Sequence, residues 1–211
     1  MYPDVGPLSR DKYARHVQFM DAGAEHNERL LLGGNRSGKT VCGSYELTAH
    51  LTGKYAPWWK GRRFLEPINA WAAGDTSKTV RDIIQLQLLG PPGNEEAQGT
   101  GMIPKDAILR TTTKMGLADA IENVFVRHIS GGTSTLQLKS YDQGREAFQG
   151  SSLHVIWLDE EVDSEVYIEC LLRTLTTNGI VFITATPLLG LTDLMLQFLP
   201  DMQPAPEITV Q

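Results

Sequence analysis

The 211-residue sequence predicts an α/β fold: a central, mostly parallel sheet with helices on both faces. Three observations carry that prediction. Two continuous apolar runs, "LHVIWLDEE" (153–161) and "GIVFITATP" (179–187), have the pattern of strands covered on both sides. Segments of helical spacing alternate with the apolar runs. A glycine-rich turn joins the short apolar run "RLLLG" (29–33) directly to an amphipathic stretch, which is the strand-loop-helix order of a parallel unit.

In chain order, 29–33 is the first strand, and the helix after Gly38 runs to about Leu51, where "TGKYAP" ends it. "INAWAAGD" (68–75) is a second strand, followed by a helix through "VRDIIQLQLL" for which Ser77 is the expected N-cap. "GPPGNEEAQGTG" (90–101) is an exposed excursion, because Gly, Pro and acidic residues cluster there and the α/β pattern resumes afterwards. "VFVRHI" and "STLQLKSY" flank "SGGT", the signal of a β-hairpin. The two apolar runs then form central strands with the helix "VYIECLLR" between them. A short helix "TDLMLQFL" is expected to end at Pro200, and "DMQPAPEITVQ" reads as a linker running into a further strand.

Bulk properties exclude several classes. With 41% hydrophobic and 21% charged residues the composition is that of an ordinary globular chain, and no apolar run approaches the ~20 residues of a membrane span. The start "MYPDVGPLSRDKYARH" lacks the basic and apolar regions of a secretory signal, and two cysteines, Cys42 and Cys170, are too few for a disulfide framework. A reducing cytoplasm fits this pattern. A net charge of −6 argues against a broad duplex-binding face, which requires Lys and Arg against phosphates. The five histidines are scattered without zinc-site spacing.

The turn "GGNRSGKT" (33–40) satisfies G-x-x-x-x-G-K-[ST] between a strand and a helix. Each position has a separate reason. Gly33, Asn35, Ser37 and Gly38 let backbone N–H groups converge on phosphate oxygens at a helix N-terminus, Lys39 reaches the β and γ phosphates, and the Thr40 hydroxyl is a Mg²⁺ ligand. The pattern arises by chance in ~1% of chains of this length, given ~7% Gly, so the strand-loop-helix context is what makes the signal specific. On residue chemistry alone Arg36 is a solvated loop arginine, with a phosphate or adenine sensor as the alternative.

"VIWLDEE" places carboxylates at the carboxyl end of a buried strand, where doubly wound sheets bind ligands. There Asp159 would hold Mg²⁺ through water and Glu160 would polarise the attacking water. Asp163 and Glu165 read instead as the acidic start of the following helix. Arg145, in "SYDQGREAFQG", is either a transition-state arginine presented to a neighbour or a surface ion-pair partner. Thr184 and Thr186 end a strand beside the expected γ-phosphate, and Pro187 by itself explains why that strand stops there. His16 and Gln18, in "YARHVQFMDAG", belong to a surface helix or lie across an adenine base. The basic-aromatic cluster "WWKGRRF" (58–64) reads as a folded loop rather than a nucleic-acid contact.

Taken together, "GGNRSGKT", "VIWLDEE" and "ITATP" resemble the ATPase domain of the large terminase subunit of tailed bacteriophages, and "FMDAG", "HLTGKY", "WKGRRFLEP", "IPKD" and "YDQGREAFQG" extend the resemblance over nearly the whole chain. The resemblance implies a P-loop NTPase of the additional-strand, catalytic-glutamate (RecA-like) type. It implies ATP and Mg²⁺ as ligands, Lys39 and Glu160 as catalytic residues, a nucleotide-sensing role for Arg36, Arg145 as a finger donated in trans, and Thr184 and Thr186 as coupling residues. His16 stands where the family has the glutamine of an adenine-recognition motif, which is a departure. Also implied are viral double-stranded DNA, a portal protein, a small terminase subunit and a homo-oligomeric ring as partners, in the cytoplasm of the infected host and transiently at the procapsid portal. The organisation expected is an N-terminal segment (1–28) with the adenine contact, an ATPase core (29–190), and a lid or linker start (191–211). The family's ribonuclease H-like nuclease would follow that linker, so no nuclease activity is expected within these residues. A superfamily 2 helicase shares the nucleotide motifs but needs a second RecA-like domain. A non-hydrolysing ATP-binding assembly factor would have no need of Glu160 and Arg145.

Overall fold

The computed structural model describes residues 1–187 and 190–199. Its centre is a seven-stranded sheet of β1 (Glu28–Leu32), β2 (Asn69–Gly74), β3 (Ile108–Thr113), β4 (Ile121–Arg127), β5 (Thr133–Ser140), β6 (Val155–Asp159) and β7 (Ile180–Ala185). The order across the sheet is β1-β7-β6-β2-β5-β4-β3. The first five strands pair in parallel, and β4 and β3 add an antiparallel edge. β7 therefore lies between the strand that precedes the glycine-rich loop and the strand that ends at Asp159. Register fixes the consequence: Leu32 pairs with Ala185, and Asp159 with Thr184.

β6 and β7 are buried at every position, as their unbroken apolar runs require, and successive side chains serve opposite layers. Trp157 and Phe182 join one core with Phe19, Met20, Cys42, Leu47 and Leu51. Ile156, Leu158, Val181 and Ile183 join the other with Trp71, Phe148, Val166 and Cys170. Helices α1 (Ala14–Ala22) and α2 (Lys39–Thr52) supply the first layer. Helices α5 (Ser164–Thr174) and α6 (Asp193–Gln197) supply the second. Gly43 of α2 is required by a close approach, since a Cβ there would sit 2.4 Å from Cε2 of Trp157.

Under α2 lies an ionic knot. Arg29 Nη2 donates to Glu46 Oε1 at 2.6 Å, Arg29 Nη1 donates to the Phe19 carbonyl at 2.8 Å, and His50 Nε2 stands 3.3 Å from Glu46 Oε1. All three side chains are buried, and the guanidinium also lies over the rings of Phe19 and Phe182.

Three features differ from the sequence expectations. β3 is an additional strand, and its six residues are all exposed or half-buried at the sheet edge. The helix of residues 77–89 is composite: α3 (Ser77–Thr79), a π-helical stretch (Val80–Gln85) and α4 (Leu86–Leu89). Its N-cap is Thr76, not Ser77. Thr76 has the extended backbone a cap requires and forms a reciprocal capping box with Thr79, which leaves the Ser77 hydroxyl to Ser140 Oγ and Lys114 Nζ. The 58–64 segment, by contrast, is the folded loop that its sequence implies, with Trp59 buried, its indole donating to the Arg62 carbonyl, and Trp58 stacked on Tyr45. Among the described residues no helix is long and apolar enough to cross a membrane. The expected linker at 201–211 and the helix stop at Pro200 lie outside the described residues.

Candidate nucleotide site

The loop that leaves β1 is anchored at its start, where the Gly33 N–H donates to the Ala185 carbonyl at the end of β7. Two residues turn it into α2 through left-handed backbone, Arg36 at φ +62° and Gly38 at φ +83°. Gly38 meets the rule that glycine occupies such positions, and Arg36 breaks it at a cost of ~1–2 kcal/mol. Gly34, Asn35, Arg36 and Ser37 are exposed, and the Arg36 guanidinium has no hydrogen-bond or ion-pair partner among the described residues. Lys39 is buried and folds back so that its ammonium donates to the Gly34 carbonyl at 3.0 Å.

At the neighbouring strand ends, Asp159 is the hub of a buried hydrogen-bond chain. The Trp157 indole N–H donates to Thr184 Oγ1 at 2.8 Å, and the Thr184 hydroxyl donates to Asp159 Oδ1 at 2.6 Å. From the other side the Thr40 hydroxyl lies 3.3 and 3.2 Å from the two Asp159 oxygens. Burial pushes the Asp159 carboxyl up to about 6, the charge of Glu160 adds to that, and the bonds from Thr184 and Thr40 and the charge of Lys39 oppose it. No salt bridge compensates it among the described residues.

Glu160 follows in left-handed backbone, φ +70°. Its N–H donates to the Thr184 carbonyl at 2.7 Å, and its Oε2 accepts the Thr186 N–H at 3.2 Å. Asp159, Glu160, Glu161 and Thr186 face a cavity of about 550 Å³ whose far wall is Gly74, Asp75, Thr79, Ile83 and Ile84. The Thr186 hydroxyl is buried in its lining with no hydrogen-bond partner among the described residues. On the other side of the loop a cavity of about 360 Å³ is lined by residues 11–16, 31–33, Ser37 and Lys39. His16 stands against this loop, 3.2 Å from where a Cβ at Gly38 would be, and its Nδ1 meets the Tyr2 hydroxyl at 3.0 Å. Burial holds its imidazole below the usual value, a contact with the Ser37 backbone opposes this, and the Lys39 charge reinforces it.

The structure thus brings His16, the 33–40 loop, Asp159, Glu160, Thr184 and Thr186 to one edge of the sheet. It does not bring Arg145 there. Arg145 is half-exposed on a 3₁₀ turn (Arg145–Phe148), and its Nε donates to Glu169 Oε2 of α5 at 3.2 Å, where Arg173 also binds Glu169. Trp157 and Tyr141 also belong to the site's surroundings; both lie inside the motifs "VIWLDEE" and "YDQGREAFQG", whose charged residues alone point to chemistry. A tryptophan inside a buried strand carries no sign that its N–H reaches a threonine on the neighbouring strand, the one that pairs with Asp159.

A hydroxyl and a carboxylate 3.2 Å apart are the donor set Mg²⁺ takes when it keeps waters and shares phosphate oxygens. The uncompensated buried carboxylate and the orphaned Thr186 hydroxyl fit a charged ligand at this edge.

A parallel sheet with an extra strand between the loop-bearing strand and the acidic strand end, and a G-x-x-x-x-G-K-T turn opening a helix beside them, defines a P-loop NTPase of the RecA-like, additional-strand type. The chain belongs to the large terminase subunits of T4-like-virus type, as their N-terminal part, the family description that matches residues 30–211. It is similar to the large terminase subunit of Salmonella phage P22, with 34% identity over 89% of this chain and 41% of that protein, so it spans about two fifths of that relative's length. Its fold is similar to that of the large terminase of a thermophilic bacteriophage, with a TM-score of 0.59 at 14% identity, covering 83% of this chain and 38% of that one. A complex of the same terminase with ADP gives a TM-score of 0.54 at 15% identity, covering 82% and 38%. The large terminase ATPase domain of Thermus phage P74-26 gives 0.52 at 18% identity, covering 83% and 68%.

Proposed function

We propose that this chain binds and hydrolyses ATP with Mg²⁺, and that the turnover drives viral double-stranded DNA into a procapsid. One observation carries the catalytic part: Glu160 is held with one carboxylate oxygen on the Thr186 N–H and the residue facing a cavity beside Asp159, which leaves the other oxygen to accept a proton from water. The 33–40 loop cradles the phosphates. Lys39 leaves the Gly34 carbonyl for the β and γ oxygens, and Arg36 reaches the phosphates from its exposed position. Gly33, Asn35, Ser37 and Gly38 present backbone donors. Thr40 and Asp159 would hold the metal, Asp159 through water, and when bound Mg²⁺ would neutralise charge developing on the phosphoryl oxygens. His16 contacts the base from the cavity beside the loop.

Thr184 and Thr186 couple the site to motion, since both bond to the acidic strand end. Arg145 leaves Glu169 to enter the site of a neighbouring copy in a homo-oligomeric ring. In this reading residues 1–28 supply the base contact, 29–190 the ATPase core, and 191–211 the start of a lid towards a nuclease domain. The portal protein and a small terminase subunit are the partners, in the host cytoplasm.

The test is Glu160→Gln. It should bind ATP and ADP as the parent does and lose turnover by ~10²–10⁴-fold, the range of a general base. Parent-like turnover in that variant defeats the proposal.

A further inference from the structure

The peptide unit between Asp159 and Glu160 is held at both edges. Its N–H donates to the Thr184 carbonyl at 2.7 Å, and its C=O accepts the phenol hydroxyl of Tyr141 at 3.1 Å. The same hydroxyl lies 3.3 Å from the Ala73 carbonyl, so it bridges the ends of β6 and β2, which pair through Leu158 and Ala73. This is the peptide that sets the direction of the Glu160 side chain. Glu160 has the left-handed backbone, which a residue with a side chain keeps only where its surroundings hold it.

Tyr141 is also tied to the Arg145 turn. Its ring lies 6.4 Å from that of Phe148, the fully buried last residue of that turn, and Lys139 Nζ, one strand position before Ser140, donates to the Ala147 carbonyl at 2.5 Å. Ser140 and Gln143 cap the 3₁₀ turn that Tyr141 opens. The hydroxyl is the donor in both of its contacts, since each partner is a backbone carbonyl.

We propose that Tyr141 is a positioning residue for Glu160, which fixes the Asp159–Glu160 peptide through its hydroxyl and links that peptide mechanically to the turn that carries Arg145. The inference rests on the reading of Glu160 as the water-activating base. Tyr141 touches neither nucleotide nor metal in this arrangement. Its effect is on turnover and not on affinity.

Tyr141→Phe keeps the ring and removes only the hydroxyl. On the chain as it stands, single-turnover ATP hydrolysis should slow about tenfold, the equivalent of one lost hydrogen bond, while ADP affinity stays within twofold. On a Glu160→Gln background the same change should alter the residual rate by less than twofold, because the group being positioned is already gone. An unchanged rate overturns the inference, and so does an equal loss on the Glu160→Gln background or a matching loss of ADP affinity. Amide exchange separates this from the parent reading. If Glu160→Gln turns over like the parent, Glu160 is not the base, and the Tyr141 contact is then decided by the Glu160 N–H alone: about tenfold faster exchange in Tyr141→Phe with Leu158 unchanged supports it, and unchanged exchange overturns it.

Discussion

Thr184→Val removes one hydroxyl and keeps every heavy-atom position, so it isolates the hydrogen-bond chain at the acidic strand end. Thr184 is fully buried. Its Oγ1 accepts from the Trp157 indole at 2.8 Å and donates to Asp159 at 2.6 Å. Valine leaves the indole N–H, also fully buried, without a partner, which costs about 1–3 kcal/mol, and it removes a charge-assisted bond of similar worth to Asp159. Thr40 still reaches Asp159, and the new methyl gains under 1 kcal/mol of burial, so the net loss is about 3 kcal/mol. For a chain of this size that lowers Tm by about 6–12 °C. Thr184→Ser keeps the hydroxyl and gives up one buried methyl, about 1 kcal/mol. Thermal melts followed by circular dichroism should therefore rank parent above serine above valine. A valine variant as stable as the parent, or a serine variant less stable than valine, refutes the reasoning that this chain holds the site together.

Gly43→Ala gains up to ~1 kcal/mol of helix propensity but places a methyl 2.4 Å from the Trp157 ring, and overpacking of this kind costs about 1–3 kcal/mol; the melt should fall by several degrees. Glu46→Leu leaves the Arg29 guanidinium buried with only the Phe19 carbonyl, a loss of about 3–5 kcal/mol, and adding Arg29→Leu should restore most of it, which a double-mutant cycle of denaturation midpoints will read. Burial, opposed by the bond to Glu46, holds the His50 imidazole below its ordinary value. The unfolded chain then binds a proton there that the folded chain does not, so the His50 contribution to stability falls as pH drops below about 6.5; the raised Asp159 carboxyl acts in the opposite sense in parent and variant alike, so relative to the parent His50→Gln should gain Tm as pH is lowered from 7 to 5. Burial alone would raise the Glu46 carboxyl, but Arg29 and His50 hold it low, so its contribution is lost only at more acid pH and leaves that window unaffected.

The parts of this fold that were legible in the sequence are those where local pattern and tertiary role coincide. β6 and β7 are apolar throughout because both faces are covered, and the 33–40 turn declares itself because phosphate binding dictates residue type at each position. β3 escaped because "ILRTTT" lies half in water at an edge, where neither alternation nor burial marks a strand. Thr76 and Ser77 are adjacent hydroxyls of similar capping power, and only the backbone at 76 decides between them. His16 was open between surface and site because a helix shows its spacing but not its neighbours; α1 turns His16, Phe19 and Met20 inward and leaves Gln18 exposed. Tyr141 was invisible for a different reason. Its partners are the backbone carbonyls of Ala73 and Asp159, which any residue types would supply. Arg145 showed its presentation in a glycine-flanked turn, while its resting partner Glu169 lies on a helix read only for its apolar face.

The central claim is that the carboxyl edge between the 33–40 loop and Asp159 is where a Mg-nucleotide binds, and a crystal structure of the chain with Mg²⁺ and a non-hydrolysable ATP analogue tests it most directly. The account predicts phosphates in the 33–40 loop, Lys39 moved from the Gly34 carbonyl onto them, the Thr40 hydroxyl on the metal, and the Glu160 carboxylate still on the Thr186 N–H. Nucleotide bound elsewhere on the chain, or bound with Lys39 still on Gly34 and no metal at Thr40, would contradict it.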